Sequence, residues 1–260
     1  MDEALATLVR QHDPDRFLTA LFAPPTKRDA LLTLYAFNHE LARAREVASQ
    51  PTLALIRLQW WREVIEGAPR HHAVATPLRA AIDAGLLQRE DLLALIEARE
   101  IEADPQIDTL SDWRTYLMTG AGGVSVAAAR LLGASQPETV RPLGAAYGVS
   151  GLLRSWRLLA AHGRCLLPID LLDGQGLSIE AAIAAPESAA VQAVLARLAV
   201  EGHAFMRQGA ATTVRGDAVA AALPAVLARR DLARWPQEAP PRRGIGDRLA
   251  VAIAGLRGRL

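Results

Sequence analysis

Cysteine is almost missing from this chain: Cys165 stands alone among 260 residues, which excludes an intramolecular disulfide and any cysteine-rich zinc site. An excess of one charge is missing too. Twenty-nine basic residues stand against 28 acidic ones, so no net field draws the protein to nucleic acid, and none is expected as a partner. Nowhere do about 18 apolar residues run without a charge, so no transmembrane helix is expected. The opening MDEALATLVRQHDPDRF places acids where an export signal needs bases, and none is expected there either. Aromatics make up 5% of the chain, β-branched residues are sparse, and no segment alternates at period two, leaving little from which to build a sheet.

What is present is helical. Hydrophobic residues reach 51%, enough for one large core, and a single domain over residues 1–260 is expected. The bases are almost all arginine and alanine is abundant, a composition that points to a GC-rich bacterial genome. Asp13-Pro14 reads as a cap with proline at the first helical position, and Phe17, Leu18, Leu21 and Phe22 follow at helical spacing, giving a helix over 13–22. Pro24-Pro25 ends it and Thr26 opens a long one. A third spans Thr52 to Glu66, and Gly67-Ala68-Pro69 stops it. Further helices are predicted over 74–84, 88–102, 111–132, 137–160, 187–208, 216–230 and 245–257. Residues 234–246, rich in Pro and Arg, read as a linker before the final helix. The fold class is all-α.

Four segments, in order, carry a resemblance. They are LYAFNHELARARE at 34–46, IRLQWWREVIEG at 56–67, WRTYLMTGAGGVSVAAARLLG at 113–133 and LGAAYGVSGLLRSWRLLAAHGRCLLPIDLL at 143–172. Together they resemble the squalene/phytoene synthase family, with the double tryptophan Trp60-Trp61 as the most specific element. The resemblance implies an isoprenoid (terpenoid) synthase-like helical bundle around a central apolar cavity. It also implies a head-to-head prenyltransferase whose paired aspartates on two facing helices hold magnesium against an allylic diphosphate.

This chain departs from that pattern where the metals would bind. In the first motif it has His39, Ala42, Arg43 and Glu46, so one carboxylate survives; Arg43 is expected to put a cation where the metals would sit. In the second it keeps Leu153 and Arg154 but then has Ser155 and Leu159. Tyr116 matches the family's pocket tyrosine, whereas the usually aromatic position three residues on is Thr119. Losing a cluster of hard oxygen ligands removes several kcal/mol of transition-state charge stabilisation. No catalytic residue, no metal ligand and no cofactor are therefore expected, and magnesium enters only if the chain is an active synthase.

His39, Arg43, Glu46, Tyr116, Thr119, Arg154, Ser155 and Arg164 are left as the inherited pocket. There Arg154 and Arg164 could hold an anionic headgroup or pair with Glu46. The adjacent His71 and His72 would point about 100° apart on a helix and cannot face one metal. Gly120, Gly122 and Gly123 are followed by no Lys-Ser/Thr, so they form no phosphate loop and suit close helix packing.

Within the family, the Ala-Phe-Asn start and the Leu167-Pro168-Ile169-Asp170 exit look like the catalytically degenerate complex I assembly branch. That likeness implies an assembly factor or scaffold whose partner is a respiratory-complex subunit or an isoprenoid-like lipid, in the cytoplasm or peripheral to the inner membrane. The competing expectation is an active squalene or phytoene synthase; a lipid carrier is the third.

Overall fold

The structure, a computed structural model, describes residues 3–46, 50–103, 106–210, 214–236 and 243–259. Fifteen α-helices lie among the described residues, with no strand beyond one isolated bridge between Arg215 and Arg259. The first six are α1 (Glu3–His12), α2 (Pro14–Ala20), α3 (Pro25–Glu46), α4 (Pro51–Glu66), α5 (Ala75–Asp83) and α6 (Arg89–Glu100). The middle of the chain forms α7 (Leu110–Thr119), α8 (Ala121–Leu132), α9 (Arg141–Ala161), α10 (Ile169–Asp173) and α11 (Ile179–Ala184). The rest forms α12 (Ala189–Ala210), α13 (Val219–Ala222), α14 (Pro224–Arg234) and α15 (Ile245–Arg257). The all-α expectation holds.

Local chemistry sets the boundaries. The Asp13 carboxylate caps α2, accepting from the Arg16 backbone N–H at 3.0 Å, and Pro14 fills the first helical position. Gly67 ends α4 and Gly133 ends α8, each with a positive φ that a side chain would strain. Thr109 and Asp112 form a capping box on α7.

Three expectations need correction. The single helix over 111–132 is two, because Gly120 turns out of helical geometry with φ −74° and ψ −89°. The helix over 216–230 is a 3₁₀ turn, then α13, then α14 beginning at Pro224, since a proline inside a helix removes a backbone donor and crowds the preceding turn, whereas the first helical position accepts it. The short helices α1, α10 and α11 lie where no helix was expected. Of the linker over 234–246, residues 237–242 lie outside the described residues.

Helices α8 and α9 pass close together in the middle of the molecule. One buried cluster gathers α1, α3, α4, α5, α6 and α8 around Leu31, Phe37, Leu58 and Leu78. A second gathers α7, α9 and α12 around Trp113, Trp156 and Leu198. Burial of this aliphatic and aromatic surface supplies the main drive for folding. Trp61 belongs to the first cluster, where the Phe37 and His72 rings meet it edge-on at 5.4 Å each. Thus His72, unlike the exposed His71, is packed against indole.

Candidate functional site

A cavity of about 280 Å³ lies between α3 and α9, the two helices on which the sequence resemblance places the acidic motifs. Its apolar wall is Leu117, Ala121, Leu152, Leu159 and Leu166. Its charged wall is Arg16, Arg99, Arg154, Arg164 and Arg243, with Asp15, Glu46 and Glu102 among them. Tyr116 and Gly120 enter from the break between α7 and α8, which turns the chain around the edge of the cavity. Ala42, Ser155 and Leu159 also line it, so the positions where acids were expected do face the hollow.

Inside, the carboxylates are already claimed. Glu102, just past the end of α6, is buried and accepts from the Tyr116 hydroxyl at 2.6 Å, from Arg164 at 3.1 Å and from Arg99. Burial works against its charge, but Arg99, the Tyr116 hydroxyl and Arg164 outweigh burial and hold the carboxyl below its ordinary range. Arg99 also donates to Asn38 at 3.1 Å, tying α6 to α3. Burial, the Glu102 charge and the hydrogen bond to Glu102 push the Tyr116 hydroxyl well up, so it stays protonated.

A second set closes the other side. The Arg243 guanidinium donates to Asp15 at 2.8 Å and to Asp231 at 2.6 Å, bridging α2 and α14. Tyr147 donates to the same Asp15 at 3.2 Å, and Arg154 reaches Asp231 at 3.5 Å. Arg16 pairs with Asp13 at 2.9 Å and lies over the rings of Tyr147 and Tyr35, at 4.9 and 5.7 Å from their centroids.

The eight residues expected to form the inherited pocket divide into two groups. Glu46, Tyr116, Arg154, Ser155 and Arg164 line the cavity together. His39, Arg43 and Thr119 do not. His39 stacks on His12 with ring centroids 4.4 Å apart, and burial and that neighbour push its imidazole below the ordinary value. Arg43 points into the groove beside Trp60 and Trp61, where it pairs with Glu40 at 3.3 Å, so it does not put a cation at the expected metal position. The Thr119 hydroxyl donates back to the Thr115 carbonyl at 2.9 Å, at the end of α7. Arg154 and Arg164 pair with Asp231 and Glu102, not with Glu46.

The partners that complete the site, Asp15, Glu102, Asp231 and Arg243, were missed by sequence reasoning. They come from four separate stretches, and the one local signal was the three-residue spacing of Arg99 and Glu102. Asp170 was read as part of a family exit; here its carboxylate accepts from the Leu110 backbone N–H at 2.9 Å, beside the Asp112 cap at the start of α7.

These residues do not fit a magnesium–diphosphate centre. Magnesium needs carboxylate oxygens free to point at it, and Glu102 and Asp15 each already face guanidinium groups. The exposed Glu46 is the remaining carboxylate of the lining, and one ligand does not make a cluster. Among the described residues no three His, Cys, Asp or Glu side chains converge as metal ligands. The wall suits a neutral or anionic occupant with an apolar part.

The depressed carboxyls give a pH prediction. Asp247 lies below its ordinary range because Arg234 and then Arg230 hydrogen-bond it, at 2.7 and 2.6 Å, and Glu102 lies low for the reason above. Both bind fewer protons folded than unfolded, so their stabilisation is present above about pH 4 and is lost as pH falls through the folded values. Thermal melts are expected to hold steady from about pH 7 to pH 5 and drop steeply below about pH 4. A melting temperature unchanged down to about pH 3 would count against both networks.

Comparison with known proteins places the fold and the family. The curated human protein "NADH dehydrogenase (ubiquinone) complex I, assembly factor 6" is 24% identical over 214 residues, 79% of this chain and 64% of that protein's own length. A presqualene diphosphate synthase of Sinorhizobium fredii (strain NBRC 101917 / NGR234) is 26% identical over 167 residues, 60% of this chain and 58% of the synthase. Among solved structures, a dehydrosqualene synthase in complex with ligand superimposes with a TM-score of 0.77 at 16% identity, covering 98% of this chain and 94% of that one. That likeness shows the isoprenoid synthase helical fold. The family described as squalene/phytoene synthase matches residues 9–239, and to that family the chain belongs.

Proposed function

We propose that this chain is a non-catalytic member of its family, a scaffold for respiratory complex I assembly that holds a partner segment or a lipid-like molecule in the inherited cavity. One observation carries the reading: Ala42, Ser155 and Leu159 line the hollow at the expected metal-ligand positions, while the buried acids beside them are bound to arginines. Ionising an allylic diphosphate without cations forfeits several kcal/mol of charge stabilisation, and arginines already paired to acids replace little of it. The name of the human relative supports the assembly role; 64% of that protein's length is spanned here.

The family membership and the presqualene diphosphate synthase relative favour a second reading, an active prenyltransferase. Incubating the purified chain with farnesyl or geranylgeranyl diphosphate and magnesium separates the two. The scaffold reading expects no inorganic diphosphate above the rate without protein, and turnover would overturn it. A gene deletion gives the complementary result: less assembled complex I in native gels, with isoprenoid products unchanged.

A further inference from the structure

Helix α15 is amphipathic the wrong way round for a helix that only closes a core. Its inner face holds the buried Val251 and the buried Asp247, which is clamped by Arg230 and Arg234, and Gly255 lies against the Phe22 ring. Its outer face presents Ile245, Leu249, Ile253 and Leu256, which are 79%, 54%, 49% and 83% exposed. At about 100° per residue these four fall within an arc of about 80°. Arg248 flanks the arc on one side and Arg257 on the other, both exposed. The exposed Arg259 lies just past the helix, where its bridge to Arg215 sets two further guanidinium-bearing residues together. The one acid of the helix is buried and neutralised, so this surface is aliphatic and cationic with no exposed carboxylate of its own.

We propose that the outer face of α15 docks on an anionic lipid bilayer, with the four aliphatic side chains in the headgroup–acyl boundary and the arginines against lipid phosphates. A large aliphatic arc bordered by bases is the pattern that binding in the interface plane requires. No helix of the described residues is long and apolar enough to cross a membrane, so the contact is from one side. A second copy of the chain is a poorer occupant, because a symmetric pairing would gather Arg248 and Arg257 of both copies around one aliphatic seam, with no exposed carboxylate of the helix to offset them. The helix lies beyond residue 239, where the family match ends. It also borders a hollow of about 660 Å³, lined by Arg248, Phe17, Leu18 and Leu21, that shares Asp15, Tyr147, Arg154 and Arg243 with the cavity. Docking on this face would bring lipid to that hollow. None of this rests on whether the cavity is catalytic.

Flotation of the full chain with vesicles of phosphatidylcholine, with and without phosphatidylglycerol, tests the proposal. Binding is expected on the phosphatidylglycerol vesicles and is expected to weaken as salt rises. Changing Leu249, Ile253 and Leu256 together to serine should lower partitioning roughly a hundredfold, since most of the inserted aliphatic surface is lost. The pair Arg248→Gln and Arg257→Gln changes two exposed residues, and should lower binding to anionic vesicles roughly tenfold while leaving binding to phosphatidylcholine unchanged. Thermal melts of both variants are expected to stay near the parent, and the arginine pair alone decides if the serine variant melts early. Absence of binding to anionic vesicles, or binding by both variants equal to that of the parent, would overturn the proposal. So would light scattering that finds a dimer of the full chain which the serine variant dissolves.

Discussion

Changing Glu102 to alanine is expected to lower the unfolding free energy by about 4 kcal/mol and the melting temperature by roughly 10 °C. The carboxylate is buried, and two guanidinium groups and a phenol converge on it. Removing it leaves Arg99 and Arg164 without their shared counter-charge in a low-dielectric site, where an uncompensated cation costs several kcal/mol. The Tyr116 hydroxyl loses its acceptor in the same step. Glu46→Ala is the matched control: that side chain is exposed and makes no ion pair among the described residues, so its loss should change stability by no more than about 0.5 kcal/mol. The contrast is sharp because Glu46 is the family-motif position and Glu102 is not. If both variants unfolded at the same urea concentration, the internal network would have no energetic standing.

A second large effect is expected at Gly144. Helices α8 and α9 approach closely here, and a Cβ on Gly144 would sit 2.6 Å from the Ala121 carbonyl oxygen and closer still to the Ser125 hydroxyl. The hydroxyl can rotate; the carbonyl belongs to the backbone of α8 and cannot move without shifting the helix. Gly148, one turn later, is nearly as tight, with a Cβ 2.7 Å from that of Ala121. Gly144→Ala should therefore cost about 3 kcal/mol, the upper part of the overpacking range. Gly151, on the same helix with nothing within 4 Å, should tolerate alanine, and the swap should even stabilise the helix by about 0.5–1 kcal/mol. Denaturant unfolding of the two variants measures the difference, and a neutral Gly144→Ala would mean that α8 and α9 are not held this close.

Much of the framework was legible in the sequence because long helices announce themselves through periodicity and breaks. The start of α2 at Asp13-Pro14 and the Gly67 stop of α4 came from single residues whose backbone preferences are strong. The short elements were not legible. In α1 the buried residues are only Leu5, Ala6 and Val9, too few to mark a stripe, and α10 is five residues long. The break at Gly120 was hidden because a lone glycine inside a helical pattern reads equally as packing or as an end. In the site, the facing positions Ala42, Ser155 and Leu159 were those the family resemblance marked out on two helices. Side-chain direction did not follow: Arg43, next to Ala42, turns to the outer groove. Nor could one chain read alone pair Glu102 with Arg164, 62 positions away, or Asp15 with Arg243, 228 positions away.

The Arg243 bridge bears on how this protein can be shortened. A fragment cut where the family match stops, at residue 239, would keep every helix from α1 to α14 yet lack the guanidinium that neutralises Asp15 and Asp231. Both acids would then lose the counter-charge they share, with Arg154 and the Tyr147 hydroxyl as their nearest remaining donors. Expression trials that trim to the recognised boundary would therefore be trimming away a latch, and a soluble, cooperative fragment should extend past Arg243 and the helix that follows it.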